Sequence, residues 1–314
     1  MQKKMRIGLV KALLYYRHQI LWEIFFKELG CQVIISNDTN KKILKDGVSN
    51  SIDESCLSAK IYLGHINDLK DRVDYILVPR IASYGSKKVT CTKFYAIYDI
   101  VRNTFRDINI LDYSLDIQQG ESELKGFIKM GSKITKNPIK ILTAYHIAKK
   151  AQEKHDQKMA EEQEVILNIQ DKLKILIVSH PYNTYDKLIG IPIINYLKEL
   201  DVLPIFADAA DKKKTVPLST NISKTLYWCY NKELIGAIEY YKNKIDGILF
   251  LTTFPCGPDS LVNELCMRKI KGIPIANIVI DELQGEAGLH TRIESFIDII
   301  QDKKLRSREL ANAQ

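Results

Sequence analysis

Three of the chain's six cysteines, Cys56, Cys91 and Cys256, sit where short polar, Gly or Pro residues lead from a loop or strand end into helical sequence. A thiol at a helix N-terminus faces free backbone N–H groups and the positive end of the macrodipole, which favour the thiolate that soft metals bind. In PCGPDS, Pro258 suits a first helical position and Gly257 lets the backbone approach a bulky ligand, so Cys256 points from a helix start. Cys56, in SIDESCLSAK, precedes a predicted helix with Asp53 and Glu54 as capping candidates, and Cys91, in VTCTKF, again leads toward helical sequence. The other cysteines read as small hydrophobes: Cys31 opens the apolar run CQVIIS, Cys229 lies in LYWCY, and Cys266 falls inside a predicted helix.

By spacing, three thiolates from separate loops suit an iron–sulfur cluster or a zinc ion, without the paired CxxC that marks either one. The bland alternative is three unpaired helix-terminal thiols. A cysteine nucleophile fits less well, because no one histidine can be assigned as its base.

Parallel α/β sheets bind ligands beyond the carboxyl ends of their strands. There the sequence offers His180, Pro181, Tyr182 and Asn183 after one strand, the PCGPD segment with Asp259 after a second, and Asp281, Glu282 and the LQGEAG loop after a third. These three loops are expected on one edge. His180, Asn183 and Asp259 are weak candidates for substrate contacts, set against a structural His180 and an Asp259 that serves its own helix. Glu282 and Glu286 are weak candidates for a general base, set against ordinary solvated carboxylates. His65, His146 and His155 read as helix residues without a chemical role.

The elements that must position these groups alternate apolar strands with helical patterns, and the alternation occurs twice. The first pass runs RIGLV, a helix ending near Gly30, CQVIIS, a helix near LSAKIYLGHINDLK, DYILVPRI, a helix near YDIVRNTF, and INILDY. The second runs KILIVS, a helix through IINYLKELD, VLPIFAD, KELIGAIEYYKN, DGILFLTTF, a helix from PDSLVNEL, PIANIVIDE and a terminal helix TRIESFIDIIQDKK. Between them, residues 138–172 read as one long polar helix with an apolar stripe through Ile141, Ala144, Ile147, Ala148 and Ala151, then Ile166 and Ile169. GESELKG before it reads as a boundary loop. The expectation is an α/β chain of two Rossmann-like domains with largely parallel sheets: residues 1–135, a helical connector over 136–172, and residues 173–314.

A chain of 314 residues with 46% hydrophobic composition can bury a substantial core without disulfide staples. No segment approaches the roughly 18 apolar residues of a membrane span, and the MQKKMR start lacks a following apolar run, so a cytoplasmic protein with no membrane association is expected. In a reducing cytosol, metal ligation or inert thiols are expected over bridges. The net charge of +8 could attract an anionic ligand such as a CoA phosphate. No RNP-type strand, helix-turn-helix or basic aromatic helix is present, so nucleic acid is not an expected partner. GFIKMGSK, Gly126 to Lys133, is not a phosphate-binding loop, because its Lys and Ser are transposed relative to GxxxxGK[ST] and no strand precedes it.

Read in order, RIGLVKALLYYRHQILWEIFFKELG, DESCLSAKIYLGHINDLKDRVDYILVPRI, CTKF, SHPYNTYD, FPCGPDSLV and DELQGEAGLHTRIESF resemble the 2-hydroxyacyl-CoA dehydratase superfamily, in particular its branch of proteins related to the dehydratase activase and to double-cubane cluster reductases. The resemblance implies an iron–sulfur cluster ligated by Cys56, Cys91 and Cys256, with one iron left open; three suitable cysteines cannot ligate a double cubane in one subunit, so a single 4Fe-4S cluster, or one shared with a related partner subunit, is expected. It implies one-electron chemistry under anaerobic conditions: an ATP-hydrolysing activase delivers a low-potential electron, and a ketyl radical anion makes a β-hydrogen acidic enough to leave. Acyl-CoA as ligand and a related second subunit or homodimer are further implications. Family members usually carry His-Thr where this chain has Leu283 and Gln284. The expected function is an iron–sulfur reductase or 2-hydroxyacyl-CoA dehydratase-like component; the alternative is a non-catalytic cluster- or zinc-binding subunit.

Overall fold

A computed structural model describes residues 4–283 and 285–312. Each half of the chain forms one four-stranded, all-parallel sheet. The first contains β1 (Arg6–Leu9), α1 (Tyr15–Glu28), β2 (Gln32–Ile35), α2 (Lys41–Ser49), α3 (Leu57–Leu69), β3 (Tyr75–Ser83), α4 (Thr92–Thr104), β4 (Ile110–Asp116) and α5 (Glu123–Ser132), with strand order β2-β1-β3-β4. After α6 (Pro138–Leu167) come β5 (Leu173–Val178), α7 (Pro181–Thr184), α8 (Gly190–Glu199), β6 (Val202–Phe206), α9 (Lys212–Thr215), α10 (Cys229–Tyr241), β7 (Gly247–Thr253), α11 (Gly257–Lys269), β8 (Ile275–Ile280) and α12 (Glu286–Asn312), with the same order, β6-β5-β7-β8.

The repetition follows from the sequence physics. Parallel strands covered by helices on both faces need near-continuous apolar runs, and all seven residues of β7 are buried. Each element expected from an apolar run is present, and the sheets are wholly rather than largely parallel. The GESELKG reading is corrected: Ser122 accepts the Lys125 backbone N–H and starts α5 there, so most of the expected loop is helix. The helix α2 also went unread, with Asn40 as its N-cap.

Helix α6 spans the molecule between the sheets, and its apolar stripe needs a second correction. Ile141, Ala144 and Ala148 are buried, but Ile147 and Ile169 are exposed. At 3.6 residues per turn, 141, 144, 148 and 152 share a face that 147 misses. The stripe is completed by two buried glutamines. Gln152 accepts the backbone N–H of Leu21 on α1, whereas Gln163 receives the N–H of Phe206 and donates to its carbonyl and to the Tyr241 hydroxyl.

Two glycines set how closely α3 lies on α2. A Cβ on Gly64 would meet the Ile43 carbonyl oxygen at 1.9 Å, and one on Gly47 would meet that of Lys60 at 2.1 Å. The reciprocal close approach holds the start of α3, and with it Cys56, against the first half. Among the described residues no helix is long and apolar enough to cross a membrane.

Candidate functional site

The carboxyl ends of the two sheets face one another, and their loops interlock. The Leu57 N–H donates to the Phe254 carbonyl, Val89 and Tyr227 are joined by a backbone bond, and the Cys229 N–H donates to the Val89 carbonyl. Ser58 donates to the Asn183 Oδ1 and shares a hydrogen bond with Thr253, each at 2.8 Å. Arg17 grips Glu233 bidentately at 2.8 and 2.6 Å, and buried Lys60 pairs with Glu282 at 3.0 Å.

Within this seam Cys56, Cys91 and Cys256 line one narrow pocket of about 30 Å³. Each is the N-cap residue of its helix, α3, α4 and α11 respectively, with extended backbone. Two come from the first half and one from the second, as the loop positions predicted. Asp53 and Glu54 are exposed and do not cap α3; Cys56 holds that position itself.

The behaviour of the thiols departs from the expectation. Burial pushes the pKa of all three above that of an ordinary thiol, most strongly for Cys256, where the Asp259 carboxylate adds to it. The backbone N–H groups of Ala59, Lys93 and Asp259 pull downward at Cys56, Cys91 and Cys256, as the helix-terminus argument predicts, but desolvation wins. Lys93 lines the pocket and brings positive charge to Cys56 and Cys91, its ammonium donating to Ser55 at 3.2 Å.

Asp259 is the hub behind Cys256. Its carboxylate is buried and takes hydrogen bonds from the Asn231 amide at 2.8 Å and the Thr252 hydroxyl at 3.2 Å, with the His180 Nε2 at 2.9 Å. Burial alone would raise its pKa; the neighbouring imidazole and the bonds from His180, Asn231 and the Cys256 thiol outweigh that and hold it at about 2. Asp259 lies in the first turn of its own helix, as expected, while its oxygens are also committed across the pocket wall. His180 stacks on Tyr182, with ring centroids 5.1 Å apart.

The remaining candidates divide. Asn183 is buried at the seam, its Oδ1 held by Ser58 and its Nδ2 without a hydrogen-bond partner among the described residues. Glu282 sits after β8 but is neutralised by Lys60 rather than facing the cysteines. The side chain of Glu286, like Gln284, lies outside the described residues; Leu283 is fully out in solvent. Sequence reasoning placed Tyr182 at the ligand-binding edge and missed Lys93, Ser58 and Asn231 as pocket residues. Lys93 and Ser58 each stand two residues beyond a singled-out cysteine, whereas nothing near Asn231 in the chain marked it.

Among the described residues no three His, Cys, Asp or Glu groups stand close enough to hold one metal ion. The donor set is nonetheless three soft sulfurs with no competing oxygen ligand free, since Asp259 is satisfied by its own partners. A closed single-zinc site needs its ligands close together, whereas a cluster's inorganic sulfides can bridge more widely spaced thiolates.

The family model described as CoA enzyme activase uncharacterised domain (DUF2229) matches residues 6–210, about two thirds of the chain. The chain belongs to this family. The match takes in Cys56, Cys91, His180 and Asn183 and stops before Cys256. No curated protein matches. Among solved structures, the one titled crystal structure of ZnuA is similar over 95% of this chain and 99% of its own, at 10% identity and a TM-score of 0.27, too loose a likeness to carry an argument. The activase relationship is thus shown at the family level, on a scaffold of two parallel α/β sheets.

Proposed function

We propose that this activase-related chain is an iron–sulfur protein, a reductase or 2-hydroxyacyl-CoA dehydratase-like component that takes low-potential electrons from an ATP-hydrolysing partner. The observation that carries the reading is the convergence of Cys56, Cys91 and Cys256, three helix N-caps from both halves of the chain, on one pocket. When bound, a 4Fe-4S cluster supplies one-electron chemistry and, with three protein thiolates, keeps one iron accessible to an outside ligand.

The chain's own residues then have definite tasks. The three cysteines hold the group at the seam, so that its loading ties the halves together. Lys93 offsets part of the negative charge that three thiolates bring. Asp259, held by His180, Asn231 and Thr252, positions the turn that carries Cys256. Tyr182, Trp228 and Tyr230 wall the pocket and limit water. The pocket is about 30 Å³, room for a water or two, and a cluster would be held by Cys56, Cys91 and Cys256 at its wall. The acyl-CoA substrate class and a related second subunit or homodimer belong to the same reading.

The test is anaerobic purification with iron, sulfide, zinc and EPR measurements on the reduced protein. About four irons and four sulfides per chain, lost in Cys56→Ser, Cys91→Ser and Cys256→Ser but retained in Cys31→Ser, support the proposal. Zinc alone, or no metal after anaerobic reconstitution, refutes it and leaves a binding subunit.

A further inference from the structure

A second cavity, about 720 Å³, lies apart from the cysteine pocket. It opens between α6, the start of α1 and the loops that follow β5 and β6, and none of its lining residues is shared with the cysteine pocket. Its volume is in the range of organic-ligand sites, and it sits beyond the carboxyl ends of two neighbouring parallel strands, where open α/β sheets take ligands.

Three features describe what it would hold. First, Asp208 follows β6 by two residues, so it stands at the end of the second strand of the β5-α8-β6 unit. From that position a carboxylate can reach ribose hydroxyls in doubly wound sheets. Asp208 Oδ1 and Tyr185 Oη are buried and neither makes a well-formed hydrogen bond among the described residues; the two groups face one another in no more than a long, weak side-chain contact. A buried acceptor left in that state is costly, and a ligand hydroxyl would satisfy it. Second, the consecutive ammonium groups of Lys212, Lys213 and Lys214 line the same cavity, and among the described residues only Lys214 is ion-paired, to Asp211 at 3.7 Å. Third, the opposite wall, on α6, carries Glu153, Asp156, Glu161 and Glu164. A uniformly anionic ligand would be repelled there, so the occupant must be polar and uncharged at one end and anionic at the other.

We propose that this cavity binds a ribonucleoside 5′-phosphate, with its ribose diol on Asp208 and its phosphates on Lys212 and Lys213. The rings of Tyr16 and Tyr185, with centroids 6.5 Å apart, supply an aromatic surface for the base. The site requires a free vicinal diol. Coenzyme A shares the adenosine phosphate chemistry but carries a phosphate on the ribose 3′ oxygen, which would oppose the Asp208 carboxylate.

The experiment is isothermal titration of the full chain with ADP, 2′-deoxy-ADP and coenzyme A. ADP binds, 2′-deoxy-ADP binds about tenfold more weakly through loss of a charge-assisted hydrogen bond, and coenzyme A binds more weakly than ADP. Asp208→Ala and Lys213→Ala each weaken ADP by about tenfold; Lys213 is exposed, so its replacement leaves folding intact should Asp208→Ala fail to fold. Absence of ADP binding to the wild-type chain, equal binding of ADP and its 2′-deoxy analogue, or coenzyme A binding as tightly as ADP overturns the proposal. None of these outcomes depends on a cluster in the cysteine pocket.

Discussion

Replacing Glu233 with Gln removes the charge that Arg17 relies on at the seam between the two sheets. The pair is bidentate, at 2.8 and 2.6 Å, with side chains 18% and 16% exposed. Arg17 also lies over the Tyr230 ring, 4.2 Å from its centroid, and Tyr230 lines the cysteine pocket. Stripping one partner from a buried ion pair costs about 3–5 kcal/mol. The retained amide oxygen of Gln and the stacking on Tyr230 reduce this to about 2 kcal/mol, or about 3 °C in melting temperature for a chain of this length. Urea denaturation in reducing buffer reads it as a lower midpoint with an unchanged slope.

The pH dependence adds a second check. Burial alone would raise the Glu233 pKa, but the Arg17 charge outweighs burial and holds it below the ordinary glutamate range. A depressed folded-state pKa contributes stability above the unfolded value that is lost as pH falls through the folded one. The deficit of Glu233→Gln should therefore be full at neutral pH and vanish in acid. A double substitution, Arg17→Met with Glu233→Leu, should recover most of the loss, because no buried charge is then left unpaired. A Glu233→Gln midpoint equal to wild type, together with zero coupling in the double-mutant cycle, would refute the reasoning.

Other outcomes follow from the same geometry. Burial lowers the pKa of His65, which sits between Ser36 and Thr39, to about 4, so the folded state resists its protonation. Stability attributable to it is intact above pH 6.5 and falls by about 3 kcal/mol as pH drops toward 4; the wild-type minus His65→Gln difference in acid titration measures this and separates it from other groups. Gly64→Ala drives a Cβ into the Ile43 carbonyl at 1.9 Å and should cost about 3 kcal/mol or more, whereas Gly257→Ala, with nothing within 4 Å, should stay within about 0.5 kcal/mol; chemical denaturation compares the two. Glu282→Gln leaves the Lys60 ammonium, 7% exposed, without its countercharge and should cost about 1–2 kcal/mol, again reversed by a paired apolar replacement; an unchanged midpoint would return Glu282 to the list of free carboxylates and candidate bases.

The seam explains why these perturbations bear on the candidate site. Asp186, in the second half, accepts a hydrogen bond from Thr39, which also meets His65 in the first half. With Ser58, Asn183 and Thr253 nearby, the contact between the two sheets includes, beside apolar packing, buried polar groups that have to align. Such groups cost free energy whenever their partners slide away, so they define one arrangement of the halves more sharply than apolar packing would. The cysteines inherit that definition, because Cys56 lies two residues before Ser58 and Cys256 three after Thr253.

Much of this chain was legible in its residues. Apolar runs bounded by turns, alternating with helical stretches, are a local signal, and they determined both parallel sheets and most helices. The three cysteines were likewise marked locally, by the short polar, Gly and Pro neighbours that start helices. What the local signal missed was also local in origin: helix α2 is only nine residues long with few apolar ones, the first turn of α5 is largely polar, and the exposed Ile147 and Ile169 imitated a buried stripe.

The tertiary structure alone decided the chemistry of those marked residues. A thiol pKa depends on how much water is removed, and only the closing of the seam revealed that desolvation overrides the helix termini at Cys56, Cys91 and Cys256. The partners of Asp259 come from residues 180, 231 and 252, and Lys60 meets Glu282 across 222 positions. Pairings at such separations leave no periodic trace in a single sequence, because they arise when two independently patterned sheets turn their carboxyl ends toward each other.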